Sequence, residues 1–206
     1  VNEGLLFIFD MDDVLYDYDW SFRMRGMSEL TGLSIPDLHS RWWNGRGESA
    51  AEAGEYSTAG EYLAAFQSAI GANVGVQDWL RVRGDAMTPL PESIAAVRRA
   101  SELGQITLLT NNGPLVQDHL ATLAPELADL FGEHLLTSSS YGARKPDRAV
   151  FDRVLASYGV EARNAFFADD LPDNIRGATA VGITAHLFTT PVALLGAIEA
   201  FAASRR

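Results

Sequence analysis

Two groups of aspartates in this chain have the spacing of a cation site. Asp10, Asp12 and Asp13 follow the apolar run at 5–9, and Asp169, Asp170 and Asp173 follow a second apolar run at 165–168. Residues two apart in extended chain point to the same side, so Asp10 and Asp12 can converge. Carboxylates held close repel one another unless a cation or a shared proton relieves them. Magnesium takes oxygen ligands, commonly a few carboxylates with water and a phosphate. Aspartate after a strand more often caps a helix or closes a turn. Either group alone fits that plainer reading; two groups at matching places favour a site.

Two further positions could face an anion. Thr110-Asn111-Asn112-Gly113 closes the apolar run at 106–109, and Pro114 opens a helix after it. A hydroxyl and free backbone N–H groups at such a turn can hold an anion, although Asn-Asn-Gly is also an ordinary turn. Lys145 is the single lysine beside 15 arginines. It stands before Pro146, ahead of a helix, where a cation opposes the helix dipole. An anion facing both would account for that placement; a solvated loop lysine is the simpler alternative.

These residues need a frame that brings them to one edge. Short bounded apolar runs predict buried parallel strands over 5–9, 106–109, 165–168 and 184–188, with a weaker one over 134–137. Amphipathic helices are predicted over 91–103, 146–158 and 173–181, each followed by glycine. The alternation implies an α/β fold, a Rossmann-like doubly wound parallel sheet. Ligands of such sheets bind beyond the carboxyl ends of the strands, and both aspartate groups fall there. Residues 16–87 break the rhythm, with no convincing strand. Ser34 opens one helix, Thr58 and Glu61 form a capping box before Tyr62, Phe66, Ala69 and Ile70, and Trp79, Leu80 and Val82 mark another. The expected organisation is an α/β core domain of residues 1–15 and 88–206 with a small all-helical domain of residues 16–87.

Composition narrows the function classes. At 206 residues the prior is one domain, or one with a modest insertion. Without cysteine there is no disulfide, thiolate zinc site or thiol nucleophile. A net charge of -11 disfavours binding to nucleic acid or to an anionic membrane surface. No run approaches about 20 apolar residues, and the opening VNEGLLFIFDMDD lacks the basic start of a leader. A cytoplasmic protein with no nucleic-acid and no membrane partner is the expectation.

Taken in order, the pieces resemble the haloacid dehalogenase superfamily, in its phosphatase branch. Its four motifs are matched by Phe7-Ile8-Phe9-Asp10-Met11-Asp12, by residues 106–110 ending in Thr110, by Lys145-Pro146, and by Ala168-Asp169-Asp170 with Asp173-Asn174 and Gly177-Ala178. The helical stretch after the first motif corresponds to that family's helical cap. The resemblance implies that Asp10 attacks phosphorus to form an aspartyl-phosphate. It makes Asp12 the acid and base for the leaving alcohol and the water. It assigns Thr110 and the Asn111 backbone N–H to the phosphoryl oxygens, and Lys145 to their charge. It implies Mg2+ held by Asp10, the Asp12 backbone carbonyl and Asp170, with Asp169 as a direct or supporting ligand and Asp173 and Asn174 as support.

One departure stands out: Asp13 occupies a position where the family usually has glycine. Dehalogenation is disfavoured, since dehalogenases of the superfamily lack an Asp at the Asp12 position. Phosphonate hydrolysis is disfavoured because that branch uses a cap lysine and none is present here. The implied substrate is a small phosphorylated metabolite, with a sugar phosphate such as glucose 1-phosphate favoured and a nucleotide second. Trp42, Trp43, Arg46 and Tyr18, with Trp20 and Arg23, are the substrate-contact candidates, although such aromatic residues are usually packing. Two rivals are a β-phosphoglucomutase-like phosphotransferase and a non-enzymatic binding module. The intact Asp10, Asp12, Lys145 and Asp170 weigh against the second.

Overall fold

The computed structural model describes residues 4–205; residues 1–3 and 206 of the expected core domain lie outside the described residues. The first strand, β1 (Leu6–Phe9), is apolar throughout because both of its faces are covered. Phe7 and Phe9 enter one apolar cluster, while Leu6 and Ile8 enter another. β1 is the centre of a parallel sheet with β4 (Gln105–Leu108) on one side and β5 (Ala165–Asp169) on the other, followed by β6 (Thr184–Leu187). The same alternation runs through β5, where Phe166 and Ala168 share the cluster of Phe7, and Ala165 and Phe167 that of Leu6. Helices α6 (Pro91–Leu103) and α11 (Pro191–Ala203) cover the first face. Helices α9 (Arg148–Tyr158) and α10 (Pro172–Ala180) cover the second. This is the doubly wound α/β arrangement expected from the alternation of strands and helices.

Register decides which residues meet. Phe9 is level with Leu108 on one side and Ala168 on the other. Asp10 N–H then donates to the Ala168 carbonyl at 3.0 Å. The residues just beyond β1, β4 and β5 are therefore side by side, and β1 lies where the connections leave in opposite directions. That is the switch point at which open α/β sheets bind ligands.

Three sequence expectations are corrected. Residues 134–137 form no strand; His134 ends a 3-10 turn and Thr137 makes one isolated bridge to Thr110. The Gln117 side chain takes the place of a neighbouring strand, accepting from Thr137 N–H at 2.6 Å and donating to the Leu135 carbonyl at 3.1 Å. Gln117 belongs to α7 (Pro114–Leu123), which leads into α8 (Pro125–Phe131). The helix expected from residue 146 begins at Arg148, leaving Lys145-Pro146 in the loop before it. Residues 16–87 are not free of strand: β2 (Tyr16–Tyr18) and β3 (Met87–Pro89) pair antiparallel where the chain leaves and rejoins the α/β part. Three residues are too few to show an alternating pattern.

Between β2 and β3 the chain is helical. It runs through α1 (Trp20–Thr31), α2 (Ile35–Leu38), a π turn over His39–Trp43, α3 (Gly47–Glu52), α4 (Ala59–Ile70) and α5 (Val76–Gly84). Caps follow the sequence signals. Ser34 accepts from Asp37 N–H and Thr58 from Glu61 N–H, while the Glu61 carboxylate reaches back to Ser57 N–H at 2.7 Å. The interior is aromatic: Trp42, Tyr62, Phe66 and Trp79 are buried against one another. Among the described residues, no helix is long and apolar enough to cross a membrane.

Candidate active site

At the carboxyl edge of the sheet a cleft of about 190 Å3 is lined by Asp10, Asp12, Asp13, Thr110, Asn111, Lys145, Asp170, Leu171 and Asn174. Every acid, hydroxyl and amine that the family resemblance assigned a direct role, apart from Asp169 behind it, borders this one cleft. Lys145 is fully buried at its floor. Its Nζ lies 2.9 Å from Asp10 Oδ1 and 2.6 Å from Asp169 Oδ2. One buried cation thus bridges two buried carboxylates from neighbouring strands. Burial lowers the affinity of the Lys145 ammonium for its proton, but Asp10 and Asp169 outweigh it and hold its pKa above the ordinary value.

The lysine is held from two sides. The Asn111 side chain accepts from Lys145 N–H and donates to the Lys145 carbonyl, both at 2.9 Å. Gly177 of α10 lets that helix lie against the same loop, since a Cβ there would collide with the Pro146 carbonyl. The role of the Asn111 side chain was not legible in the sequence, because its partner is 34 residues away.

Asp10 receives Met11 N–H on Oδ1 at 2.8 Å, the same oxygen that meets Lys145. Its carboxyl is held well above the usual aspartate range. Burial is the largest cause, and the charges of Asp169 and Asp12 add to it against the pull of Lys145. Asp170, half-buried, is pushed up to about 6 by burial and by Asp169. Carboxylate oxygens of Asp10, Asp169 and Asp170 all lie within 4.8 Å of one another. All-oxygen donors and mutually repelling charge fit a hard divalent cation. Asp169 is the least available of the three: it accepts from Lys145, from Leu171 N–H at 2.8 Å, and from Asn174 Nδ2 on both oxygens.

Thr110 is buried, and its hydroxyl oxygen accepts from Asn112 Nδ2 at 2.9 Å. That bond leaves the hydroxyl proton for another acceptor. Asn112 N–H in turn donates to Ser138 Oγ at 3.3 Å, and Ser138 Oγ donates to the Glu52 carbonyl at 2.7 Å. The Glu52 carboxylate pairs with Arg144 Nε at 2.6 Å, one residue before Lys145. The helical segment therefore touches the supports of both Thr110 and Lys145.

Asp12 stands apart from the carboxylate group. Its side chain meets Arg83 Nη2 at 2.8 and 3.1 Å. Arg83 comes from α5 and was not singled out by the sequence. Asp13 has φ 58, the left-handed region that favours glycine and that aspartate tolerates better than most residues. Its carboxylate accepts from Tyr18 N–H at 3.1 Å. The family's glycine and this aspartate thus satisfy one backbone requirement.

Several of the expected residues stand away from the cleft. Asp173 is exposed and pairs with Arg176 rather than supporting the cleft. Trp42 is buried in the helical core and donates from Nε1 to Glu48. Trp43 packs with Trp20, His39 and Phe66. Arg46 is exposed and pairs with Glu55. None of these lines the cleft. Tyr18 does not line it either, but its hydroxyl accepts from Arg83 Nη1 at 2.9 Å and from Arg23 Nη1 at 2.6 Å.

Comparison with known proteins places this geometry. A protein of Mycobacterium tuberculosis named Phosphatase MT3486 is 30% identical over 187 residues, covering 87% of this chain and 85% of that protein. A crystal structure of a HAD family enzyme, bt-2542, from Bacteroides thetaiotaomicron shares the fold with TM-score 0.74 at 15% identity, over 91% of this chain and 94% of that one. A magnesium complex of the same enzyme superposes with TM-score 0.73 at 16% identity over the same shares. The family model for haloacid dehalogenase-like hydrolases matches residues 5–182, the span that carries the whole cleft, and the chain belongs to that family.

Proposed function

We propose that this hydrolase is a magnesium-dependent phosphatase of a small phosphorylated metabolite, acting through an aspartyl-phosphate on Asp10. The observation that carries this reading is the convergence of Asp10, Thr110, Lys145 and Asp170 on one strand-end cleft. The phosphatase name of the M. tuberculosis relative and the magnesium complex of the Bacteroides enzyme support it. The cleft is small beside the roughly 300–1,000 Å3 of pockets for drug-sized ligands. That suits a phosphoryl group bearing a compact leaving alcohol, a sugar phosphate before a nucleotide. In this reading residues 16–87 are the cap and residues 1–15 with 88–206 the catalytic core, joined through the β2–β3 ribbon.

The residues act as follows. Asp10 attacks phosphorus through the oxygen not held by Lys145 and Met11 N–H. The bond from phosphorus to the leaving oxygen breaks, and Asp12 gives that oxygen a proton. Asp12 then takes a proton from the water that attacks the phosphorylated Asp10, releasing phosphate and regenerating the carboxylate. The Thr110 hydroxyl and the Asn111 backbone N–H bind phosphoryl oxygens, and Lys145 offsets their charge. Asp10, Asp170 and the Asp12 backbone carbonyl would hold Mg2+, with Asp169 closing the group. The ion would supply the positive charge that lets an anionic ester approach an anionic nucleophile.

The test is phosphate release by the purified protein from a panel of sugar phosphates, nucleotides and small phosphorylated acids, with Mg2+ and with chelator. The proposal expects turnover of some member only with Mg2+. Equal turnover in chelator, or none across the panel, would count against it.

A further inference from the structure

Arg83 lies at the C-terminal end of α5, outside every motif of the sequence, yet it is the residue that holds Asp12. It is almost wholly buried, and both Asp12 oxygens lie within 3.1 Å of its Nη2. Its own orientation is fixed in turn. Nη1 donates to the Tyr18 hydroxyl, and the guanidinium stacks 4.7 Å over the Tyr18 ring. The same hydroxyl accepts from Arg23, whose guanidinium lies 4.7 Å over Trp79. The chain of contacts Trp79–Arg23–Tyr18–Arg83–Asp12 leads from the aromatic interior of the helical segment to the wall of the cleft. Among the described residues, the side-chain hydrogen bonds of Asp12 are those with Arg83.

We propose that Arg83 is a positioning residue for Asp12, by which the helical segment sets the geometry of proton transfer in the cleft. The inference rests on the reading of Asp12 as the acid and base. A planar guanidinium with one nitrogen on the carboxylate and the other on Tyr18 fixes direction as well as distance. Proton transfer requires the carboxylate within hydrogen-bond reach of the leaving oxygen, so loss of that hold costs turnover more than binding.

The experiment is a double-mutant cycle between Arg83→Met and Asp12→Asn, reading kcat and KM on the best substrate of the panel. Arg83→Met alone should lower kcat about 10- to 100-fold and change KM by less than about threefold. On the Asp12→Asn background the same change should cost less than about twofold more, because the group it positions is already disabled. Arg83→Lys keeps the charge without the planar fork and should recover part of the loss. If circular dichroism shows that Arg83→Met fails to fold, Arg83→Lys takes its place in the cycle. A similar fold-loss in both backgrounds, or a rise in KM with kcat unchanged, would overturn the positioning role. Full activity of Asp12→Asn alone would overturn the reading of Asp12 beneath it, a result distinct from failure of the cycle.

Discussion

The strand-end cleft and the helical segment treat buried charge in opposite ways. In the cleft, Lys145 has a carboxylate on either side and Asp169 accepts from three donor groups. In the helical segment, the buried Arg23 guanidinium donates from Nη1 to Tyr18, and its Nε and Nη2 have no hydrogen-bond partner among the described residues. Arg83 Nε and Trp79 Nε1 are likewise unpartnered. Burying an unpaired polar group costs about 1–3 kcal/mol, more for a charge. Aromatic faces around Arg23 offset part of that, since cation–π contacts contribute roughly 0.5–2 kcal/mol. The cleft is built so that removing one member exposes the charge of another. The helical segment is built on ring packing, with one arginine aimed out of it at the cleft.

The sharpest way to test that contrast is to remove the bridging cation. Lys145→Met leaves Asp10 and Asp169 buried and facing each other. Activity should fall about 100-fold or more, and stability by about 3–5 kcal/mol as for other broken buried pairs. Lys145→Arg should also be far from neutral, because the longer planar group does not fit between two carboxylates set for an ammonium. Phosphate-release kinetics and urea unfolding check both; wild-type activity in the arginine variant would contradict the bridging geometry.

The counterpart in the helical segment is Trp42→Ala. A buried tryptophan replaced by alanine should cost about 3–5 kcal/mol. Relative kcat/KM across a substrate panel should keep its order, since Trp42 does not line the cleft. A reordered panel with unchanged stability would return Trp42 to the role of a substrate contact.

A smaller effect is expected at Gly177. Gly177→Ala places a methyl group against the Pro146 carbonyl and must shift the Lys145 loop. A loss in kcat of about tenfold is expected, because displacements near 1 Å at a site cost up to roughly 100-fold. Unchanged kcat would mean that the loop yields without moving the lysine.

The smallest concerns Glu52, which burial pushes up from its ordinary 4.5 to about 7 against the pull of Arg144. Between those values the folded chain keeps a proton that the unfolded chain releases. Unfolding then releases protons, so this group makes stability fall as pH rises through about 4.5 to 7, with no further change above. Glu52→Gln should flatten that part of the slope in unfolding free energy measured between pH 5 and 8. An identical slope in wild type and variant would refute the shift.

How legible the molecule was in its sequence follows the same division. β1, β4, β5 and the helices around them were readable because each is a short apolar or amphipathic run, and chain order fixes which residues stand at strand ends. Asp10, Thr110 and Asp170 could be found for that reason, and Lys145 because it is the single lysine and stands before Pro146. Asp173 was misplaced because a helix begins at Pro172 and turns its side chain outward to Arg176. The β2–β3 ribbon was too short to signal itself. Arg83, and the hold of the Asn111 side chain on Lys145, were missed because each works on a partner 71 or 34 residues away, and no local pattern records such a pairing. For Trp42, Trp43, Tyr18 and Trp20 both packing and contact were open, and only the fold separates the two.

If Asp10 is the nucleophile, turnover must fail without its carboxylate. The direct measurement is magnesium-dependent phosphate release by wild type and Asp10→Asn, with circular dichroism to confirm that both are folded. The expected result is a folded variant whose turnover is lower by about 10,000-fold or more, as for other lost nucleophiles. A folded Asp10→Asn protein that still releases phosphate with Mg2+ near the wild-type rate would contradict it.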